Sequence, residues 1–252
     1  MVSFIASAQK EHFEYYTIKD GLAQSRVKGI VQDKNGYLWF ATNGGVSRFD
    51  GVSFRNFTTK EGIINNRTTC VFESSHEDIW VTTLFGLSRI EFDLFQDNYS
   101  IQNIDKKSGL TSNAIFSICQ ENDSIVWVGT ARGINKLLIK PSSQANFKRE
   151  AQVIEVLNNE NGLLSNSVND LLIDKEGNIW LSYIGHGVSR FDVSTKSFEH
   201  FGQNQGFTSN TINDLFLDDD GNIWCASGNG VNVIVPNQIG GYEVFNSSHI
   251  NA

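Results

Sequence analysis

Every tryptophan in the chain follows a glycine by the same distance. Trp39, Trp80, Trp127, Trp180 and Trp224 stand 18 residues after Gly21, Gly62, Gly109, Gly162 and Gly206. A large apolar residue follows each glycine (Leu22, Ile63, Leu110, Leu163, Phe207), and the position four past it holds Ser25, Asn66, Asn113, Asn166 and Asn210. Successive units begin 41, 47, 53 and 44 residues apart. A period of about 40 to 50 residues marks one supersecondary unit that cannot bury its apolar surface alone and must stack on copies of itself.

Within a unit the pattern reads as strand. Residues 167–174, SVNDLLID, form a nearly continuous apolar run, as in a strand covered on both faces. KEGN then reverses the chain, IWLSY is a second strand, GVSRFD a third and SFEHF a fourth. The acidic turn and its Trp recur as DKNGYLW, DKEGNIW and DDDGNIW. Four antiparallel strands per period is the arithmetic of a β-propeller blade, so the expected fold is all-β, a propeller of four-stranded antiparallel blades with five repeats. In it each Trp opens the second strand and wedges against the neighbouring blade, contributing about 2–3 kcal/mol. Two further strands are expected at 13–16 (FEYY) and 242–245 (YEVF), either of which completes the fifth sheet. The sequence leaves open whether five blades close a ring or form part of a larger propeller.

Composition narrows the function. The 252 residues carry a net charge of −8, which argues against nucleic acid and anionic membranes as partners. No apolar run approaches the roughly 18 residues of a membrane helix. Cys70, Cys119 and Cys225 lie in apolar runs without a CxxC pair and read as small buried hydrophobes; no metal or cofactor is expected. Ala6-Ser7-Ala8 has the form of an export-signal cleavage site, so residues 1–8 are read as the remnant of such a signal and 9–252 as the propeller domain.

The unit GLLSNSVNDLLIDKEGNIWLSYIGHGVSRFD resembles the two-component regulator propeller repeat, through its G-L-x-S-N opening, its D-x-x-G-N-I-W turn and its G-V-x-R-F-D third strand. The resemblance spans roughly residues 12–245; units two and three are worn, with SSHEDIW and NDSIVW lacking the turn glycine. It implies an extracytoplasmic, periplasmic or extracellular, sensor region of a hybrid histidine kinase of Bacteroidetes type. Such a region recognises a glycan-derived ligand without catalysis of its own and works with signalling domains further along the same polypeptide. A homodimer and a protein-interaction scaffold are both compatible with it.

Propellers bind ligands on the face formed by the loops entering the first strands and those joining second to third. The entering loops supply Arg26 and Arg67; the others supply Asn43, Phe85, Arg132, His186 and Asn229, with Tyr183 at a strand end beside them. Arginines, amides and aromatic rings on one face suit a sugar or a carboxylated glycan. His186 sits in the one loop with an extra residue. Eight residues past the repeat glycine stand Gly29, Cys70, Ser117, Asp170 and Asp214, a column expected to line the central axis. Asp170 and Asp214 on adjacent blades form the carboxylate pair that a glycosidase or lyase needs, the alternative to structural acids bonded around the axis.

Overall fold

The computed structural model describes residues 13–93, 98–143, 148–237 and 240–247; the expected export-signal remnant lies outside them. The fold is all-β, with five four-stranded antiparallel sheets, each built from consecutive strands. The first sheet comprises β1 (Val27–Gln32), β2 (Leu38–Thr42), β3 (Gly45–Phe49) and β4 (Phe54–Phe57); the second β5 (Thr68–Glu73), β6 (Ile79–Thr83), β7 (Gly86–Asp93) and β8 (Asn98–Ile104). The third holds β9 (Ile115–Asn122), β10 (Ile125–Thr130), β11 (Gly133–Pro141) and β12 (Arg149–Leu157); the fourth β13 (Val168–Ile173), β14 (Ile179–Tyr183), β15 (Gly187–Asp192) and β16 (Ser197–Phe201). The fifth holds β17 (Ile212–Leu217), β18 (Ile223–Ser227), β19 (Gly230–Pro236) and β20 (Tyr242–Asn246).

The segment 242–245 therefore completes the fifth sheet. The segment 13–16 is not a strand. Its Tyr16 ring packs on Phe49 and Phe54 instead, at centroid distances of 4.9 and 5.8 Å, laying the segment across the face of the first sheet.

The repeat glycine ends a short turn. Gly21, Gly62, Gly109, Gly162 and Gly206 all adopt φ between +102° and +111°, a conformation that costs a side chain about 1 kcal/mol or more. The Asn four residues later braces the same turn: Asn66, Asn113, Asn166 and Asn210 accept from the backbone amides of Thr59, Lys106, Asn159 and Gln203 at 2.7–2.8 Å. The G-L-x-S-N opening thus builds a rigid entrance to each inner strand.

The recurring Asp does two jobs at once. Asp33 accepts from the turn amides of Asn35 and Tyr37 with one oxygen and from the Trp39 indole N–H, at 2.7 Å, with the other. Asp174 serves Trp180 at 2.8 Å and Asp218 serves Trp224 at 2.7 Å in the same way. These donors hold the Asp218 carboxyl at about 2, the indole being the largest cause. In the third sheet Glu121 takes the role, accepting from Trp127 at 2.6 Å. The second sheet lacks it. Ser74 replaces the acid, and neither its hydroxyl nor the Trp80 N–H finds a partner. The carboxylate has moved to Asp78, where it pairs with the buried Arg89 at 2.8 Å.

Each joint between sheets repeats one contact. The Trp and the residue ten past the repeat glycine on one sheet meet residues nine and nineteen past it on the next. Trp39 and Val31 cluster with Val71 and Val81, and Trp180 and Leu172 with Leu215 and Cys225. Trp80 and Trp127 do the same at the joints between. Among the described residues there are four such joints and no apolar cluster joining the fifth sheet to the first. Ile30 and Phe216, whose equivalents fill the joints, are 61% and 64% exposed. The five sheets form an open arc.

Every inner strand also carries an irregularity at the same place, where pairing with the second strand skips a residue: Lys28, Thr69, Phe116, Asn169 and Asn213; the third sheet has a further shift at Glu121. The bulged residue reaches across to the next sheet. Lys28 donates to the Thr68 carbonyl at 2.8 Å, Thr69 to that of Ile115 at 2.7 Å and Asn169 to that of Ile212 at 3.3 Å.

Two stability outcomes follow. Asp174→Ala strips the Trp180 indole and two turn amides of their acceptor and should cost about 1–3 kcal/mol in urea denaturation. Glu77 occupies the left-handed turn position at φ +65°, where the first, fourth and fifth sheets have Gly36, Gly177 and Gly221. Glu77→Gly should therefore stabilise by about 1 kcal/mol; an unchanged midpoint would show that the turn carries no backbone strain.

Candidate functional site

The register brings the predicted face together. Val27 pairs with Thr42, Thr68 with Thr83, Ile115 with Thr130, Val168 with Tyr183 and Ile212 with Ser227. The start of each inner strand and the end of its neighbour therefore share one end of the sheet, opposite the acidic turns. Arg26, Arg67, Asn43, Phe85, Arg132, His186 and Asn229 all lie just beyond these pairs. All are exposed except Asn43, which is half-buried.

A hydroxyl fixes most of these tips. Thr42, Thr83, Thr130 and Ser227 donate to the carbonyls of Gly45, Gly86, Gly133 and Gly230. They also accept from the amides of Gly44, Phe85, Arg132 and Asn229. The tip residue is thereby presented on a clamped turn while its side chain stays free to vary. In the fourth sheet Tyr183 replaces the hydroxyl residue, and the longer loop carrying exposed His186 follows it.

Tyr183 departs from expectation. It is fully buried in the core between the third and fourth sheets, and burial pushes its phenol up to about 12. It supports the His186 loop from beneath and offers no surface to a ligand. The second strand ends on Tyr183 as expected, pairing it with Gly187, but its ring turns into the apolar joint between the third and fourth sheets and not out to the loops.

The structure adds a residue to the set. Lys28, carried inward by its bulge, stands close enough to Arg26 and Arg67 for both to lower its ammonium, after burial as the first cause. Three cations from the first two sheets share this end of the array, and among the described residues no carboxylate pairs with any of them. Arg67 also lies beside Phe85, since the adjacent Leu84 amide donates to the Arg67 carbonyl at 3.4 Å. The 49% exposed Phe85 ring is a surface for stacking. Strict strand alternation hides Lys28 on the wrong face; the small-residue column immediately after it was the available signal.

That column does approach the axis. Asp170 accepts from the Ser117 hydroxyl of the third sheet at 2.7 Å and from the Leu215 amide of the fifth at 2.9 Å. Burial raises its carboxyl to about 6, the neighbouring Asp214 adding to the effect against these hydrogen bonds. Both oxygens are thus committed to tying three sheets together. Asp214 is exposed beside it. Cys70, Cys119 and Cys225 are free thiols. Burial raises all three, Cys70 to about 11 and Cys225 to about 12.

Comparison with known proteins places this geometry. The family model for the two component regulator propeller matches residues 21–44, 109–132, 162–185 and 206–229, four of the five repeats. A 60-residue stretch is 43% identical to histidine kinase P4 of Formosa agariphila, covering 22% of this chain and 4% of that protein. The extracellular domain of the hybrid two-component system BT3049 from B. thetaiotaomicron is 24% identical with a TM-score of 0.68, over 88% of this chain and 28% of that one. That of BT4673 is 18% identical with a TM-score of 0.74, over 94% and 33%. Virginiamycin B lyase from Staphylococcus aureus is similar at 11% identity and a TM-score of 0.60, over 87% and 69%. The chain spans about a third or less of the two-component relatives' length. Four of its five repeats carry the two-component regulator propeller match.

Proposed function

We propose that the loop-tip end of the array is the ligand-recognition face of an extracytoplasmic sensor, that its ligand is an anionic glycan fragment, and that it acts through further signalling domains of the same polypeptide. The observation carrying this is the trio Arg26, Lys28 and Arg67 beside exposed Phe85. Guanidinium groups recognise carboxylates and sulfates through paired donors, and an aromatic face takes the C–H side of a sugar ring. An uncompensated cationic patch on a chain of net charge −8 is best accounted for by an anionic partner. Histidine kinase P4 and the B. thetaiotaomicron two-component systems support the signalling context by family.

The second reading is a lyase or glycoside hydrolase acting through Asp170 and Asp214, favoured by the raised Asp170 carboxyl and by the likeness to the lyase fold. The hydrogen bonds of Asp170 to Ser117 and Leu215 favour a structural acid instead.

Calorimetry with uronate-containing, sulfated and neutral oligosaccharides separates the readings. Binding should be confined to the anionic sugars, weaken with salt, and fall at least tenfold in Arg67→Ala. Equal affinity for neutral sugars would remove the cationic trio from recognition. Asp170→Asn should leave binding intact, whereas product release that this substitution abolishes would establish the enzyme.

The same variant carries a pH signature. Because the folded protein holds a proton on Asp170 up to about pH 6, above the ordinary carboxylate range, this group favours the fold below about pH 4 and that contribution is lost as pH rises through 6. The stability difference between wild type and Asp170→Asn should shift across that window, measured by urea denaturation at a series of pH values; a constant difference would show an unperturbed carboxyl.

A further inference from the structure

At the acidic-turn end of the array, opposite the loop tips, a cavity of about 180 Å³ opens between the first and second sheets, with Arg149 at the start of β12 on its flank. In the second, third and fourth sheets the third-strand cation opposite the Trp finds a carboxylate: Arg89 pairs with Asp78 at 2.8 Å, Lys136 with Glu121 at 3.1 Å and Arg190 with Asp174 at 3.8 Å. In the first sheet that cation is the half-buried Arg48, and Tyr37 stands where the fourth and fifth sheets have Asn178 and Asn222. The guanidinium lies over the Tyr37 ring, 4.4 Å from its centroid, with Phe92 of the second sheet at 5.7 Å. It has no ion-pair or hydrogen-bond partner among the described residues. Stacking uses the flat face of a guanidinium and leaves its N–H edge free. The acids around the cavity are already bonded. Asp33 serves the Trp39 indole and the turn amides, Asp78 accepts from Arg89 Nε at 2.8 Å, and Glu91 accepts from the Lys148 amide at 3.0 Å. Exposed Glu77 stands 4.0 Å from Lys34. Arg149, like Arg48, has no carboxylate partner among the described residues.

We propose that this cavity is a second ligand site, separate from the loop tips, and that it takes a small organic acid the size of a single ring. The carboxylate pairs with the N–H edge of Arg48 while the apolar body lies against Phe92 and Ile79. Size sets the class. A cavity of about 150 Å³ admits benzene, so this one admits a single ring bearing a carboxylate. It lies below the roughly 300 Å³ at which pockets for larger ligands begin, which excludes an oligosaccharide. Charge sets the sign. The uncommitted groups facing the space are the guanidiniums of Arg48 and Arg149, with Lys148 and His76 beside them, whereas each carboxylate already has a partner. A guanidinium fork binds a carboxylate through two parallel N–H···O bonds, and a neutral or cationic molecule of the same shape forfeits both.

Benzoate, benzamide and benzylammonium share one size and differ in charge, and the indole N–H signals of the ¹⁵N-labelled chain report where each binds. Trp39 lines the cavity and the other indoles do not. Benzoate should shift the Trp39 indole signal alone, saturably, with a dissociation constant below about 1 mM. Benzamide should bind about tenfold more weakly and benzylammonium not at all. Arg48→Gln, which removes the charge, should lower benzoate affinity about tenfold, whereas Arg67→Ala should leave it unchanged. The pattern of the remaining indole signals shows whether a variant is folded. Should Arg48→Gln fail to fold, Arg48→Lys, which keeps the charge and loses the fork, gives the same reading through a smaller loss. No saturable benzoate shift, an equal response to benzamide, a shift centred on another indole, or undiminished binding in a folded Arg48 variant would each overturn the proposal. So would loss of benzoate binding in Arg67→Ala, which would put the acid at the loop tips. Glycan binding is read through Arg67 and acid binding through Arg48, so either proposal can fail while the other stands.

Discussion

The structure depends on placing a bulky indole between two sheets without stranding its N–H. A buried donor with no acceptor costs as much as the packing of several methyl groups gains. The chain solves this with the carboxylate six residues before the Trp, which the same hairpin needs to cap its turn amides. Turn geometry and interlayer packing are therefore set by one residue. A cation on the third strand lies opposite the Trp in four of the sheets, Arg48, Arg89, Lys136 and Arg190, and adds positive charge near the turn. Lys136 pairs with Glu121 at 3.1 Å and lies 5.0 Å from the Trp127 ring. Where the acid is lost, in the second sheet, the cation is kept and a new acid, Asp78, is found for it at the cost of an unsatisfied indole. The cation and a carboxylate go together; only their placement drifts.

The inner strands follow a second rule. A bulge at one fixed position turns two successive side chains inward, and the first of them grips the neighbouring sheet's carbonyl when it has a donor. Lys28, Thr69 and Asn169 do so by three different chemistries. Phe116 has no donor, and at that joint Ser117, one residue later, bonds Asp170 instead. The axis is thus held by polar stitches while the outer layers are held by apolar wedges. This division leaves the loop tips free: their backbone is pinned by Thr42, Thr83, Thr130 and Ser227, and the residue displayed changes from sheet to sheet.

This division also explains what the sequence disclosed. The glycine-to-tryptophan spacing is rigid because it measures one entering turn, one strand and one hairpin, none of which tolerates insertion, so the architecture and strand order were legible. Lengths beyond the Trp vary, and there the reading weakened: FEYY has the strand pattern of an outer strand but uses its rings to cover Phe49 and Phe54. Glu121 is obscured because its turn, NDSIVW, lacks the glycine and Glu stands at the Asp position, although its longer side chain reaches the same indole. The bulge was invisible to a period-two pattern, which hid Lys28. Tyr183 reads from the pattern as a strand-end surface ring, whereas the joint between the third and fourth sheets takes the ring in. Closure could not be read at all, since an open arc and a ring repeat the same letters; only the exposure of Ile30, Phe216 and Trp224 distinguishes them.

The charges along the axis are not evenly spread. Lys28 feels Arg26 and Arg67 from the first two sheets, whereas Cys70 feels Asp170 and Asp214 from the fourth and fifth. One side of the inner surface is cationic and the other acidic. Under the proposed reading, an anionic ligand would be drawn toward the first two sheets and away from the last two, its orientation biased before any hydrogen bond forms. A raised carboxyl in a cleft is ordinarily a mark of catalysis. Here its two oxygens already hold the third and fifth sheets, so using them in a reaction would loosen the joints that shape the site.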